Sequence, residues 1–122
     1  MKNIKREKYL QSIRPYFNKP LIKVLTGQRR VGKSYLLKQI ADEIREQNPG
    51  SNIIFIDFEK FEFEEIKTYQ DLHAHIKLNS LQSYNYIFID EIQDIEGFEK
   101  VLRSLLSDGN YDIYVTGSNS NI

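Results

Sequence analysis

One octapeptide constrains this chain more than anything else in it. Gly27-Gln28-Arg29-Arg30-Val31-Gly32-Lys33-Ser34 sets two glycines around four free positions, then a lysine and a hydroxyl residue. Before it lies the apolar run 21–26. After it, the stretch 33–47 carries Leu36, Leu37, Ile40, Ala41 and Ile44 at helical spacing. The reading is strand, loop, helix. Glycines allow backbone angles and a close approach that a Cβ forbids, so successive amide N–H groups can surround a phosphate. Lys33 adds a positive charge able to reach the β- and γ-oxygens of a nucleoside triphosphate, and the Ser34 hydroxyl can enter a magnesium shell. The helix that starts here adds the positive end of its dipole. A glycine turn that fits by accident is the competing reading, and its chance in a chain this size is on the order of a few in a thousand. The flanking strand and helix lower it further, because the mechanism requires both. The loop therefore predicts a site for ATP and Mg2+ formed by Gly27, Gln28, Arg29, Arg30, Val31, Gly32, Lys33, Ser34 and Tyr35. Arg29 and Arg30 occupy free positions and are either solvated surface charges or, for one of them, a phosphate contact.

The rest of the chain alternates the same two kinds of element. A lead-in helix is expected over 10–17 from Leu10, Ile13, Tyr16 and Phe17, ended near Arg14 by Pro15. Asn48-Pro49-Gly50 breaks the helix after the loop, and 53–58 follows as an apolar run without polar alternation, expected to be buried on both faces. Tyr69, Leu72 and Ile76 mark a modest helix fading by Asn79. The runs 86–89 and 112–116 read as central strands. Between them Phe98, Val101, Leu102, Leu105 and Leu106 mark an amphipathic helix that Gly109 stops. Strands alternating with helices imply an α/β fold with a parallel sheet covered on both sides.

In such a sheet the strand ends converge on one crevice, and Tyr86-Ile87-Phe88-Ile89 runs straight into Asp90 and Glu91. Asp90 suits a magnesium ligand, acting through a water, and Glu91 suits the base that orients and deprotonates water attacking the γ-phosphorus. Helix-capping or solvated acids are the alternative. The fourth run ends Thr116-Gly117-Ser118-Asn119, where Thr116 or Ser118, with Asn119 in reserve, can sense the γ-phosphate or form a polar turn. Asp57 and Glu59 read as surface acids. His73 and His75 diverge on a helix and do not suggest a metal site.

Composition excludes more than it selects. The chain has 122 residues, enough for one domain and too few for two. Seventeen basic and seventeen acidic side chains cancel, so no overall field draws it to nucleic acid or an anionic membrane. Without cysteine there are no disulfides or thiolate metal sites, which fits a reducing compartment. No apolar run approaches the roughly 20 residues of a membrane span. A soluble cytoplasmic protein is expected.

Taken together, Val24 to Ser34, Ile87-Phe88-Ile89-Asp90-Glu91-Ile92-Gln93 and Val115-Thr116-Gly117-Ser118 resemble the AAA-like ATPases of bacteria and archaea. The resemblance covers nearly everything from Leu21 onward. It implies a three-layer P-loop core with strand order 2-3-4-1-5, the Thr116 strand lying between those of Asp90 and Leu21. It also implies a lid, a transition-state arginine and a C-terminal domain, often nuclease-like or DNA-related. The fifth strand, lid and arginine would lie beyond Ile122, so a piece of a larger ATPase is expected. Arginine fingers contribute roughly 10³ to 10⁵ in rate, so the isolated chain should hydrolyse ATP poorly. An order of 2-3-4-1 leaves the 21–26 strand at an open edge, which predicts self-association there or an N-terminal segment folded over it. An ATPase motor or switch leads the functional readings, ahead of an ATP-binding switch with little turnover. A small-molecule kinase ranks last, because the Asp-Glu pair favours water as acceptor.

Overall fold

The computed structural model describes residues 4–26 and 32–117. Along the chain come α1 (Ile4–Ile13), β1 (Ile22–Leu25), α2 (Lys33–Gln47) and β2 (Asn52–Asp57), then α3 (Tyr69–Leu78), β3 (Asn85–Asp90), α4 (Phe98–Asp108) and β4 (Tyr111–Thr116). Single 3-10 turns occupy Arg14–Tyr16, Phe61–Phe63 and Ile92–Asp94. Pro15, which has no N–H to donate, converts the end of α1 into the first of these turns. Thr68 and Asp71 start α3 with a reciprocal capping box. Gly109, at φ 79°, ends α4 in the left-handed conformation that glycine adopts without strain.

All strands are parallel, in the order β1-β4-β3-β2. This is the expected 2-3-4-1 order read from the other edge. Alternation along the strands divides the core in two. Ile54, Ile56, Ile87, Ile89, Ile113 and Val115 bury against α3 and α4, while Leu25, Phe88 and Tyr114 bury against α2 together with Leu10 of α1. Every residue of β3 and β4 is buried, as expected for strands covered on both faces.

β2 departs from expectation. Ile54 and Ile56 are buried, but Ile53 and Phe55 are only half-buried. The strand lies at the edge of the sheet with one neighbour, so the layer over its α2-side face is incomplete. β1 forms the other edge and pairs with β4, and Leu21 and Val24 remain 52% and 38% exposed there.

At the end of the sheet opposite Asp90, a buried polar cluster ties the segment before β1 to β4. Lys23 pairs with Asp112, whose other oxygen accepts from the Tyr114 hydroxyl at 2.6 Å and the Asn18 N–H at 3.0 Å. Burial, reinforced by the Asp112 charge, pushes the Tyr114 phenol well above its ordinary pKa. It therefore stays protonated and continues to donate.

Candidate nucleotide site

The period of two along a strand determines which side chains meet at the C-terminal edge of the sheet. In β3, Asp90 shares the α2 face with Tyr86 and Phe88, and in β4 Thr116 shares it with Tyr114. The fully buried Thr116 hydroxyl donates to Asp90 Oδ1 and accepts the Glu91 N–H at 3.0 Å. One hydroxyl thus joins the ends of two neighbouring strands.

Lys33 reaches the same edge from the other layer. Gly32 caps α2 in the left-handed conformation, φ 71°, and Lys33 is the first residue of the helix. Its side chain, only 4% exposed, donates from Nζ to the Gly117 carbonyl at 2.6 Å. The Gly117 N–H in turn donates to the Leu25 carbonyl at 3.2 Å, at the end of β1. Helical geometry directs the N–H groups of the first turn of α2 out along its axis, toward any anion held beside Lys33. Ser34 and Tyr35 follow on this turn, both exposed, Tyr35 at 54%.

Glu91 is buried and left-handed, with φ 60° and ψ 54°, a conformation that a residue with a Cβ enters only under constraint. The Thr116 hydrogen bond to its N–H supplies part of that constraint. The Gln93 side chain supplies another contact, its Nε2 donating to Glu91 Oε1. In the sequence Gln93 closes the motif 87–93 but carries no assigned role, and its position two residues after a strand-end acid hints at the contact. Asp57 pairs in register with Asp90, so it too lies at this edge, where its Oδ1 accepts the Glu59 N–H at 3.0 Å. Asp57 is half-buried and Glu59 exposed, close to the surface reading.

Lys33, Asp90, Glu91 and Thr116 therefore gather at one edge, with Gly32, Ser34 and Tyr35 on the adjoining turn. Gly27, Gln28, Arg29, Arg30, Val31, Ser118 and Asn119 lie outside the described residues. No cluster of three or more histidines, cysteines or acids suited to a metal occurs among the described residues. Asp90 and the Ser34 hydroxyl nevertheless suit magnesium, which takes one or two protein oxygens and completes its octahedron with phosphate and water. No helix among the described residues is long and apolar enough to cross a membrane.

Comparison with known proteins identifies the family. Residues 19–122 match the AAA domain family. An uncharacterised protein of Haemophilus influenzae is 43% identical over 122 residues, covering 98% of this chain and 30% of the relative. An uncharacterised protein of Methanocaldococcus jannaschii is 33% identical over 102 residues, 83% of this chain and 22% of the relative. The chromosomal replication initiator protein DnaA of a Ruegeria species is 27% identical over 74 residues, 61% of this chain and 16% of that protein. The chain spans less than a third of the length of each of these relatives. No solved structure gives a significant match. With the parallel sheet in P-loop order, the glycine-rich loop before α2 and the acidic end of β3, the chain belongs to the AAA domain family, as an AAA-type P-loop NTPase domain covering almost its whole length.

Proposed function

We propose that this chain binds ATP with magnesium and hydrolyses it, serving as the motor or switch domain of a larger cytoplasmic AAA-like ATPase. The observation that carries the reading is the hydrogen-bonded junction in which Thr116 joins Asp90 to the Glu91 backbone while Lys33 meets Gly117 beside it. A lysine at a helix N-terminus, at the same edge of the sheet as two consecutive strand-end acids, is the charge pattern a magnesium triphosphate needs.

In this reading the amides of residues 27–33 enclose the β-phosphate, and Lys33 leaves the Gly117 carbonyl to neutralise the β- and γ-oxygens. Gln28, Arg29, Arg30 and Val31 contribute through their backbone, and Tyr35 lies against the nucleotide from the first turn of α2. Ser34 and, through a water, Asp90 would hold magnesium, which would supply charge neutralisation at the phosphates. Glu91 accepts a proton from the attacking water as its oxygen bonds to the γ-phosphorus. The bond from that phosphorus to the bridging oxygen breaks, and ADP departs with the electron pair. Thr116, with Ser118 beyond it, links the γ-phosphate position to both acids.

The test separates binding from chemistry. Lys33→Ala should weaken ATP binding at least about tenfold. Glu91→Gln should keep ATP bound while hydrolysis falls by about 10²- to 10⁴-fold, the usual contribution of a general base. Equal ATP binding by wild type and Lys33→Ala overturns the site. Unchanged behaviour of the whole protein with Glu91→Gln favours an ATP-binding switch with little turnover. Self-association through the β1 edge, where Leu21 and Val24 are exposed, is part of the same proposal. The balanced net charge of this chain does not indicate contact with nucleic acid, which a further domain of the parent protein could make.

A further inference from the structure

We propose that Gln93 is the positioning residue for the Glu91 carboxylate and also takes the non-transferred hydrogen of the attacking water. The proposal rests on the hydrolytic reading above and concerns a residue with no role in it so far.

The backbone after β3 brings the two side chains together. Residues two apart do not face one another on a regular helix. Here the left-handed Glu91 reverses the chain, and the 3-10 turn Ile92–Asp94 begins at once. The Asp94 N–H closes on the Glu91 carbonyl at 3.1 Å, and the Ile95 N–H on that of Ile92 at 3.1 Å. Ile92 and Ile95 are buried in the core beneath α3 and α4, so the turn is anchored from below. Gln93 folds back over Glu91, and its Nε2 donates to Glu91 Oε1.

Thr116 fixes the Glu91 backbone but not its side-chain torsions. The Gln93 amide nitrogen contributes to that, and an amide donating to a carboxylate makes one of the stronger hydrogen bonds available. The other end of the amide points to a second task. Gln93 Oε1 is buried with no hydrogen-bond partner among the described residues, and a buried acceptor calls for a donor. With Nε2 committed to Glu91 Oε1, the Gln93 amide keeps one acceptor that lacks a donor, and water carries two hydrogens. One proton passes to Glu91 as the water oxygen bonds to phosphorus. The other stays on oxygen, held by Gln93 Oε1. Gln93 itself neither gains nor loses a proton.

A glutamine that only fills the turn makes a different prediction. Gln93→Met keeps the length and removes both polar atoms, whereas Gln93→Glu keeps an acceptor and sets a second negative charge against Glu91. In the full-length protein, ATP affinity is measured by titration and hydrolysis as a single turnover at saturating Mg-ATP. We expect both variants to bind ATP within about threefold of wild type and to turn over about 10- to 100-fold more slowly. Wild-type turnover by Gln93→Met overturns the proposal. So does a rate loss matched by an equal loss of ATP affinity, which would mark a purely structural role. Failure of the underlying reading appears separately, as a wild-type protein that binds no ATP.

Discussion

Thr116→Val offers the sharpest test of how this edge of the sheet is built. Valine matches threonine in shape, so packing beneath α2 is preserved and only the hydroxyl is lost. That hydroxyl is fully buried, donates to the Asp90 carboxylate and accepts the Glu91 amide hydrogen at 3.0 Å. A hydrogen bond to a charged group contributes about 1.5–3 kcal/mol, and a buried amide left without a partner costs about 1–3 kcal/mol. The added methyl returns about 0.8 kcal/mol. The net loss is then about 2–5 kcal/mol, within the usual 5–15 kcal/mol of a folded domain. At a urea dependence of about 2 kcal/mol per molar, the unfolding midpoint should fall by about 1–2.5 M with unchanged slope. Thr116→Ser keeps the hydroxyl, loses one methyl and should cost about 1 kcal/mol. Equilibrium urea unfolding of the two variants beside wild type decides the matter. A Thr116→Val midpoint no lower than that of Thr116→Ser would refute the reasoning, because the hydroxyl would then be joining nothing of consequence.

Two further outcomes follow from other parts of the fold. Gly97 and Gly109 both have left-handed backbones, φ 81° and 79°, but a Cβ on Gly97 would come within 2.8 Å of Tyr69 Cδ2 while one on Gly109 meets nothing within 4 Å. In urea unfolding, Gly109→Ala should cost about 1–2 kcal/mol from backbone strain alone and Gly97→Ala clearly more, so equal costs would show that Tyr69 yields freely. Burial lowers the pKa of His75, which stands edge-on to Phe63 at 5.7 Å, below its ordinary 6.5. On acidification the unfolded chain then takes up the proton first, so stability present above about pH 6.5 declines as pH falls toward the lowered folded value. Urea midpoints at pH 7.5 and 5.5 should differ more in wild type than in His75→Phe, and an identical difference would remove His75 from the account.

Much of the fold was legible because a doubly covered parallel sheet leaves continuous apolar runs. β3 and β4 sit where 86–89 and 112–116 placed them, each extended by a residue at one or both ends. α2 spans Lys33–Gln47 as read, since the phosphate-loop pattern set its start and Asn48-Pro49-Gly50 its end. α1 was half legible: Pro15 ends it, but the helix runs from Ile4, over charged residues that carry no apolar periodicity. The edge position of β2 had no local signal, because half-burial of Ile53 and Phe55 depends on which strands become neighbours. Within the site, residue types and spacing pointed to Lys33, Asp90, Glu91 and Thr116. The left-handed turn at Glu91 did not show, since its constraint comes from Thr116, far along the chain. The contact of Gln93 with Glu91 became visible only once that turn was seen.

What aligns these groups is the register of the sheet. Phe55, Phe88 and Tyr114 are cross-strand partners on β2, β3 and β4, and their rings stack in a row, with centroids 5.7 Å and then 4.8 Å apart. The row lies on the α2 face two residues before Asp57, Asp90 and Thr116, so the pleat that stacks the rings also turns Asp90 and Thr116 toward Lys33. On the opposite face Ile87, Ile89, Ile113 and Val115 fill the layer beneath α3 and α4. A slip of one residue in β3 would send its aromatics into the aliphatic layer and carry Asp90 to the side away from Lys33. The separation of aromatic from aliphatic residues between the two faces therefore opposes that slip and holds the acids in register with the lysine. The core pattern and the site geometry are one constraint, set along the strands before any ligand binds.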